Sequence, residues 1–592
     1  MSFHLFVLPF SIGLLFLCAY LLVYYTRLIK GLSQSDKALI ASRIFTKDSL
    51  NALGEVFMES LLHRKVFKKN VLLGYMHMSF ALGWFLLIVM GNVESRVFSL
   101  AHVNPPYYTI FLKFFMHDTK ILYFEVFTLP GFFRFVMDLL LLFVLSGLVL
   151  AFVKRFRSNW FGMRHTTKLR FFDKAALYSL WLIFPCRLLA ESITASIYGS
   201  GGFLTGGLGM GLSELLPVKL LFLPSWWAYS MVLGVFFVSL PWSRYMHIPT
   251  EVVLIFLRKY GVSSNGLLEA YAQLQLMSCS RCGLCLDVCQ MLNPAQKKQT
   301  QAVHFLQGIR HQTNDFAFTC LMCNRCTQVC PVGIEITNLR QAKRALQIAT
   351  EPKQDYSYLK PIGKQNVDYI YFAGCMGRLN PSTTQSMRHI FERLKLRYWF
   401  VDELDSFCCG RPLELAGKLN EAQQLIHINT KMFQESGAHT LITSCPICLR
   451  TFKDKYGSAI RFVHHSQFIN ELLEEKRIEV VANMQKVASH DPCELGRGLG
   501  IYEEPRNVLQ KCGKVVEAAH SKHEALCCGG SLGDFGLTTK QKDLIANATV
   551  SSLAETGANT IVTACPLCKK TLAKHSPHTV YDIAELVEKQ MV

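Results

Sequence analysis

LCCGGS at residues 526–531 and FCCGRP at residues 407–412 each place two adjacent cysteines before a glycine. A disulfide between neighbouring cysteines would strain both the peptide and the S–S torsion, so ordinary disulfides do not explain these pairs. Glycine lets the backbone come close to a bound group because it has no side chain. The two pairs therefore indicate two sites where neighbouring thiolates bind one group.

Both pairs belong to an internal repeat, whose copies are about 115 residues long. Matching cysteines are separated by 118, 119 and 120 residues: Cys375 to Cys493, Cys408 to Cys527, and Cys445 to Cys565. Each copy offers five cysteines, which are Cys375, Cys408, Cys409, Cys445 and Cys448 in the first and Cys493, Cys527, Cys528, Cys565 and Cys568 in the second. Five thiolates are too many for zinc or a simple cubane. We therefore expect larger iron–sulfur clusters in one or both copies, although one copy could be purely structural.

Upstream of the repeat, CSRCGLCLDVC at 279–289 and CLMCNRCTQVCP at 320–331 each carry the spacing C-x2-C-x2-C-x3-C. This is the ferredoxin pattern for two [4Fe–4S] cubanes, in which the fourth ligand of each cluster comes from the other motif. Zinc is the alternative for any C-x2-C, but it does not require two complete four-cysteine runs. The predicted sets are Cys279, Cys282, Cys285 and Cys330 for one cubane, and Cys320, Cys323, Cys326 and Cys289 for the other.

The first 250 residues contain the long apolar runs of a chain that is 51% hydrophobic. Five of these runs have the roughly 20 apolar residues that span a bilayer: 3–26, 71–91, 132–153, 175–198 and 222–243. Lysine and arginine concentrate in the connections 27–70 and 154–174, which predicts an outside N-terminus and a cytoplasmic C-terminal part. The same concentration accounts for the net charge of +19 without nucleic acid, for which no motif is present.

Polar residues in and near these runs are candidate functional groups. His77 and His247 are expected at the same cytoplasmic depth, where two imidazoles could bind one haem b or simply lie at the interface. Asp138, Glu191 and His63 are candidates for handling the protons of a quinone, but buried ion pairs are the alternative. Arg187 is four residues from Glu191 and could pair with it. His490 could transfer protons beside Cys493 or only cap a turn.

These motifs resemble known families over nearly the whole chain. The stretch WAYSMVLGVFFVSLPWSRYMHIPTEVVLIFLRKY at 227–260 resembles the cytochrome b subunit of respiratory nitrate reductase. That family has two haems, and the ligand positions of its second haem correspond here to Leu87 and Tyr229, so the resemblance implies one haem b. The repeat resembles the tandem CCG domains of heterodisulfide reductase, which bind non-cubane [4Fe–4S] clusters.

The resemblances imply a multidomain protein with a five-helix membrane cytochrome b bundle, an α-helical dicluster domain and two α/β CCG domains. The expected domains are 1–250, 251–350, 365–475 and 480–592. Fused bacterial relatives imply a protein of the bacterial inner membrane that passes electrons from electron-transfer flavoprotein, or another cytoplasmic redox protein, to menaquinone. A quinol-dependent disulfide reductase and a subunit of a quinone-linked 2-hydroxyacid dehydrogenase remain alternatives.

Overall fold

The computed structural model describes residues 3–99, 107–115, 129–263, 266–267, 269–309, 315–356, 366–403 and 407–592. The predicted domain boundary at residue 365 lies outside them. The chain divides into two compact units, which are residues 1–264 with 268–283 and residues 265–267 with 284–592.

The described part of the first unit is helical. Its helices are α1 (Leu8–Lys30), α2 (Gln34–Arg43), α3 (Lys47–Val56), α4 (Arg64–Lys69), α5 (Val71–Ser99), α6 (Tyr107–Ile110), α7 (Leu112–Phe115), α8 (Leu129–Phe156), α9 (Phe171–Tyr198), α10 (Phe203–Leu215), α11 (Val218–Ser239), α12 (His247–Lys259) and α13 (Ala270–Met277). Five segments are helices long and apolar enough to cross a membrane: Leu5–Lys30, Val71–Val97, Gly131–Phe156, Phe171–Tyr198 and Val218–Trp242. They correspond to the five runs predicted from the sequence.

Glycine determines how closely α1 and α11 approach each other. A Cβ atom added to Gly13 would lie 2.8 Å from the Cα atom of Gly234, and one added to Gly234 would lie 2.5 Å from the carbonyl oxygen of Pro9. Helices in an apolar environment associate by such close packing because lipid provides little hydrophobic driving force between them. The α1–α11 contact therefore has the close packing that is typical of helix–helix contacts in membranes.

The second unit begins with short helices and continues as two α/β copies. The short helices are α14 (Leu284–Asp287), α15 (Ala302–Gly308), α16 (Asp315–Phe318), α17 (Arg325–Val329) and α18 (Ile336–Gln347). The first copy contains β1 (Tyr369–Phe372), α19 (Gly374–Arg378), α20 (Pro381–Arg393), β2 (Tyr398–Phe400), α21 (Arg411–Ala416), α22 (Leu419–Glu435), β3 (Thr440–Thr443), α23 (Pro446–Lys455), β4 (Arg461–His464) and α24 (His465–Glu474). The second contains β5 (Asn483–His490), α25 (Gly496–Leu499), α26 (Glu503–Cys512), β6 (Gly513–Val516), α27 (Thr539–Ala554), β7 (Thr560–Thr563), α28 (Pro566–His575), β8 (Thr579–Asp582) and α29 (Ile583–Gln590).

Each copy forms a four-stranded parallel sheet with the same strand order, β2-β1-β3-β4 in the first and β6-β5-β7-β8 in the second. One hydrophobic core contains residues from both copies, including Tyr371, Ile442, Leu472, Val562 and Val587. Among the described residues that form this core, none is one of the ten cysteines predicted as CCG ligands. The shared core therefore joins the copies without using their candidate metal ligands.

Candidate redox centres

Two cysteines of each copy lie just beyond the carboxyl ends of the two central strands. Cys375 follows β1 and Cys445 follows β3, while Cys493 and Cys565 follow the equivalent strands β5 and β7. In parallel sheets the crevice beyond the carboxyl strand ends is where ligands bind. The topology thus brings together, in each copy, cysteines that are far apart in the sequence.

The adjacent cysteines are the centre of each set. In both copies hydrogen bonds run through the same series of side chains: Cys408, Cys409, Cys448 and Cys445 in the first, and Cys527, Cys528, Cys568 and Cys565 in the second. The hydrogen bond from Cys408 holds the pKa of Cys409 well below its ordinary value, and Cys527 does the same for Cys528. The same hydrogen bonds raise the pKa values of Cys408 and Cys527. Thiolate is the form that binds metal, so one cysteine of each pair, Cys409 or Cys528, is favoured as thiolate.

Glycine completes the first set. Gly374 has a φ of 77°, and a Cβ atom there would lie 3.0 Å from the Cβ atom of Cys445 and 3.1 Å from the Sγ atom of Cys448. Only a residue without a side chain fits this left-handed conformation so close to two thiols. The glycine before Cys375 therefore allows that cysteine to join the set.

In the dicluster segment, Cys289 interacts electrostatically with Cys320 and Cys323, and Cys326 interacts with all three. These four are the predicted ligands of one cubane. Burial raises the pKa of Cys289 to about 12, so this thiol would lose its proton readily only to a bound metal. The predicted ligands of the other cubane are divided between the units, with Cys279 and Cys282 in the first and Cys285 and Cys330 in the second.

The dicluster segment contacts the second copy through cysteine itself. The side chains of Cys323 and Cys527 hydrogen-bond to each other. Gln290 accepts a hydrogen bond from the backbone N–H of Cys527 at 2.7 Å and donates one to its carbonyl at 3.1 Å. Arg497 donates from Nε to the carbonyl of Cys323 at 2.7 Å. A predicted ligand of the dicluster segment, Cys323, therefore touches a predicted ligand of the second copy, Cys527, directly.

The sequence interpretation missed Gln290 and Arg497. Gln290 directly follows Cys289, and Arg497 is one helical turn beyond Cys493, so proximity to a ligand was the available signal. His490, which was singled out, uses Nε2 to contact the carbonyl of Leu526 at 3.2 Å and Nδ1 to contact the Thr563 hydroxyl at 3.1 Å. Burial lowers the pKa of His490. Its ring therefore holds the segment that leads into Cys527.

In the first unit, three histidines meet near the start of α5. The rings of His63 and His77 stack with centroids 5.4 Å apart, and His77 interacts electrostatically with both His63 and His247. The Nδ1 atom of His247 lies 2.6 Å from the carbonyl oxygen of Arg244. A metal-binding histidine commonly donates its second ring N–H to a carbonyl, which leaves the other nitrogen free for the metal. His247 has this arrangement.

A lysine links these histidines to the dicluster cysteines of the same unit. Lys154 interacts electrostatically with His77 and also with Cys282. A positive charge at this point would stabilise a thiolate or other anionic group between the two. The Lys154 side chain is therefore close to both His77 and Cys282.

Glu251 is a further acidic group near His247 that the sequence interpretation missed. It lies four residues after His247 on α12, so both side chains share one helix face. Burial raises the pKa of Glu251 to about 8, and Lys65 and Arg258 oppose that rise. The carboxyl group can therefore exchange a proton near neutral pH.

Asp138 and Glu191 lie together at the other end of the helix bundle. Asp138 is 16 residues before Lys154 on α8, which corresponds to about 24 Å along a helix. Both acidic residues line a small cavity with Lys113, Arg134 and Thr205. Asp138 accepts hydrogen bonds from the backbone N–H groups of Leu204 and Thr205, at 2.7 and 3.0 Å, and so caps α10. The three proton-handling candidates thus occupy two separate places.

Arg187 and Glu191 form a buried ion pair, with Nε and Oε1 2.8 Å apart. We expect Glu191→Leu to reduce the free energy of unfolding by about 3 kcal/mol, because it leaves a buried arginine without its partner. The double variant Arg187→Met with Glu191→Leu should recover most of that loss. Thermal unfolding of the purified protein in detergent would measure both variants. A double variant no more stable than the single one would contradict the expectation.

The cysteine-rich domain called CCG matches residues 369–453 and 487–573, and a 4Fe-4S dicluster domain matches residues 275–334. One subunit of the dihydromethanophenazine:CoB–CoM heterodisulfide reductase of Methanosarcina barkeri is 26% identical over 54% of this chain and 95% of its own length. EtfAB:quinone oxidoreductase of Syntrophomonas wolfei is 24% identical over 53% of this chain and 46% of its length. A probable membrane-anchored ferredoxin of Chromohalobacter salexigens is 33% identical over 28% of this chain and 27% of its length.

These matches cover the repeat and the four-cysteine motifs described above. The repeat predicted from the paired cysteines is the tandem CCG domain, and the two four-cysteine motifs lie in the dicluster domain. The similarity to the Methanosarcina heterodisulfide reductase protein extends over nearly all of its length. The chain therefore has the tandem CCG and dicluster domains of an iron–sulfur oxidoreductase and is similar to heterodisulfide reductase, and its described residues include five helices that could cross a membrane.

Proposed function

We propose that this protein carries electrons from a cytoplasmic electron-transfer flavoprotein to menaquinone in the bacterial inner membrane. The observation that carries the proposal is the contact between Cys323 and Cys527, because it joins the dicluster segment to a CCG set. Within the first unit, Lys154 likewise adjoins both His77 and Cys282. The similarity to EtfAB:quinone oxidoreductase supports the choice of donor and acceptor.

We assign the ligands as the sequence predicted them. The second cubane would be held by Cys289, Cys320, Cys323 and Cys326, and the first by Cys279, Cys282, Cys285 and Cys330. The five cysteines of each CCG copy would hold a non-cubane cluster, since four of these thiols in the first copy and all five in the second already form a hydrogen-bonded series. Bound iron–sulfur clusters and haem b supply one-electron oxidation and reduction. The cysteine and histidine side chains fix where those electrons can enter and leave.

His77 and His247 are the proposed ligands of a single haem b. The hydrogen bond between His247 and the Arg244 carbonyl would orient the His247 ring for iron. Tyr229, at one ligand position expected for a second haem, is buried and hydrogen-bonds to Arg187. Leu87, at the other position, is 2% exposed and offers no ligand atom. Both features favour one haem.

The lysines and arginines of connections 27–70 and 154–174 favour an outside N-terminus. In this orientation the histidines and Glu251 lie toward the cytoplasm, and the cavity with Asp138 and Glu191 lies toward the outside. The iron–sulfur domains would then meet the flavoprotein in the cytoplasm.

Glu251 is the proposed proton donor for quinone at the histidine end. Because its pKa is about 8, the wild-type rate of menaquinone reduction should fall as the pH rises through 8 and the carboxyl loses its proton. We expect Glu251→Gln to slow menaquinone reduction by about 10-fold at pH 7 and to remove this pH dependence. This loss is smaller than the rate enhancement of about 100-fold or more that a positioned general acid usually provides. Steady-state rates between pH 6 and pH 9 would measure it.

Glu214→Gln is the control for that experiment, since Glu214 is an exposed acid on α10. Its rate and pH profile should match those of the wild type. If Glu251→Gln kept the wild-type pH profile, another group would have to supply the proton.

A quinol-dependent disulfide reductase is the second candidate. It is favoured by the similarity to the Methanosarcina heterodisulfide reductase protein over 95% of that protein. Two complete cysteine sets would suit it, because cleavage of a disulfide takes two electrons and produces two thiolates. In this case the electrons would flow from the membrane to the CCG copies.

Rapid mixing separates the two candidates. Reduced electron-transfer flavoprotein is mixed with the detergent-purified protein while the haem absorption band is followed, and menaquinone is then added. Fast haem reduction that menaquinone reverses would support the flavoprotein reaction. If the haem stayed oxidised with flavoprotein but was reduced by menaquinol and reoxidised by a disulfide, the second candidate would replace the first.

A further inference from the structure

The second CCG copy uses one face to receive the dicluster segment. Cys527 of this face hydrogen-bonds to Cys323, and Arg497 donates to the Cys323 carbonyl at 2.7 Å. Cys493 packs against the same apolar cluster, which includes Leu321. Cys493, Arg497 and Cys527 define what we call the relay face of the second copy.

Further contacts cover most of this face. Gln290 hydrogen-bonds to both backbone groups of Cys527, and the Ser531 hydroxyl donates to the Leu321 carbonyl at 2.6 Å. Cys527 is only 2% exposed and Arg497 only 7%, while Cys493 is partly exposed. The relay face of the second copy is therefore a protein interface that brings a redox segment against a CCG cysteine.

In the part of the chain that the structure describes, the same face of the first copy is open. The repeat offsets of 118 and 119 residues place Cys375, Leu379 and Cys408 at the positions of Cys493, Arg497 and Cys527. Cys375 is exposed, Leu379 is 55% exposed and Cys408 is partly exposed. The two copies thus share a fold and a cysteine set, but among the described residues of the dicluster segment the contacts cover the relay face of the second copy and not that of the first.

We propose that the relay face of the first copy, defined by Cys375, Leu379 and Cys408, is the docking surface for the flavoprotein. The docking surface rests on the proposed function, and it is the part of the chain that the donor would contact. The argument for a protein occupant is the repeat itself, since the equivalent face of the second copy binds a folded redox segment. Leu379 replaces the charged Arg497, so the surface offers an apolar centre that suits a protein partner.

The electron balance is simple. Reduced flavin in the docked protein would lose one electron, and a cluster held by the first cysteine set would accept it. No bond between the two proteins forms or breaks. The cluster would pass that electron on toward menaquinone, the acceptor of the proposed function, before it accepts a second one, and the fully oxidised flavin would release its protons to solvent.

The test replaces Leu379 and leaves every cysteine in place. We expect Leu379→Glu to raise the flavoprotein concentration needed for half-maximal haem reduction by about 10-fold, because a charge would lie at the centre of the apolar contact. The control is Val481→Glu, which changes another exposed apolar residue, 64% exposed, whose backbone bonds to Gln590 near the C-terminus. The control should behave as the wild type.

Two further measurements exclude a folding defect and locate the contact. Reduction by menaquinol and the electron paramagnetic resonance signals of both variants should match those of the wild type. Hydrogen–deuterium exchange should show that added flavoprotein protects residues 374–380 in the wild type and not in Leu379→Glu. Equal flavoprotein kinetics in Leu379→Glu and wild type would overturn the proposal.

A second probe separates this proposal from the proposed function. If electron-transfer flavoprotein fails to reduce the wild type, the assigned donor is wrong, and reduced flavodoxin then serves as a generic one-electron flavoprotein. Slower reduction of Leu379→Glu by flavodoxin would support the docking surface even so. Equal rates for Leu379→Glu and wild type with flavodoxin would overturn it.

Discussion

Cys527→Ser should reduce the rate of electron transfer from flavoprotein to haem by at least about 100-fold. Substitutions that only disturb the residues around a metal ligand usually reduce activity by less than this. Cys527 is both a proposed ligand of the second CCG copy and the hydrogen-bond partner of Cys323. The substitution therefore removes a ligand at the point where the copy meets the dicluster segment. Stopped-flow absorption of the haem after mixing with reduced flavoprotein would measure the loss.

Cys512→Ser is the matched control, because Cys512 is a buried cysteine of the same copy that lies in the shared hydrophobic core. It belongs to no predicted ligand set, so its variant should keep the transfer rate and the iron content of the wild type. The Cys527→Ser variant should keep the backbone contacts of Gln290 and hence its fold. Wild-type transfer in Cys527→Ser would show that electrons do not pass this contact.

His77→Ala and His247→Ala should each abolish haem binding, whereas His63→Ala should keep the haem. The comparison with His63 is needed because all three imidazoles lie together in the structure. His63 lies in a left-handed backbone conformation with a φ of 54°, and its Nδ1 atom is 3.3 Å from the Leu61 carbonyl. The haem content of each purified variant, measured from its absorption spectrum per mole of protein, decides the assignment.

His63 also provides the control for general disruption of this end of the bundle. Its replacement removes a ring that stacks on His77 but leaves both proposed ligands in place. If His63→Ala lost the haem while His77→Ala retained it, the ligands would be His63 and His247. A spectrum that shifts without loss in His63→Ala would place this ring beside the haem.

Much of the redox half of the molecule could be predicted from the sequence, because metal ligation imposes strict cysteine spacing. The nearly equal offsets of three cysteine pairs, including Cys408 and Cys527, indicate a repeated domain. The contact between Cys323 and Cys527 could not be predicted in this way, since it joins residues 204 positions apart that share no local pattern. Spacing identifies the members of a site, whereas tertiary packing decides which sites touch.

In the membrane half of the chain, prediction from the sequence is limited for a different reason. An aspartate in an apolar run is unusual enough to suggest function, and Asp138 was chosen for that reason. The sequence interpretation treated residues 199–221 as a connection, but the structure has helix α10 there, with its first turn bonded to Asp138. From the sequence alone, a carboxylate that caps a helix in a different segment cannot be distinguished from any other buried acidic residue.

The core shared by the two CCG copies has a consequence for how the protein matures in the cell. The interior that joins the copies consists of side chains such as Tyr371 and Val562, while candidate ligands such as Cys409 and Cys528 lie in separate buried clusters. The polypeptide can therefore collapse and pair its two halves before any iron arrives. Cluster delivery would then act on a finished scaffold, and iron-starved cells should accumulate a folded, metal-free form that can be repaired without new synthesis.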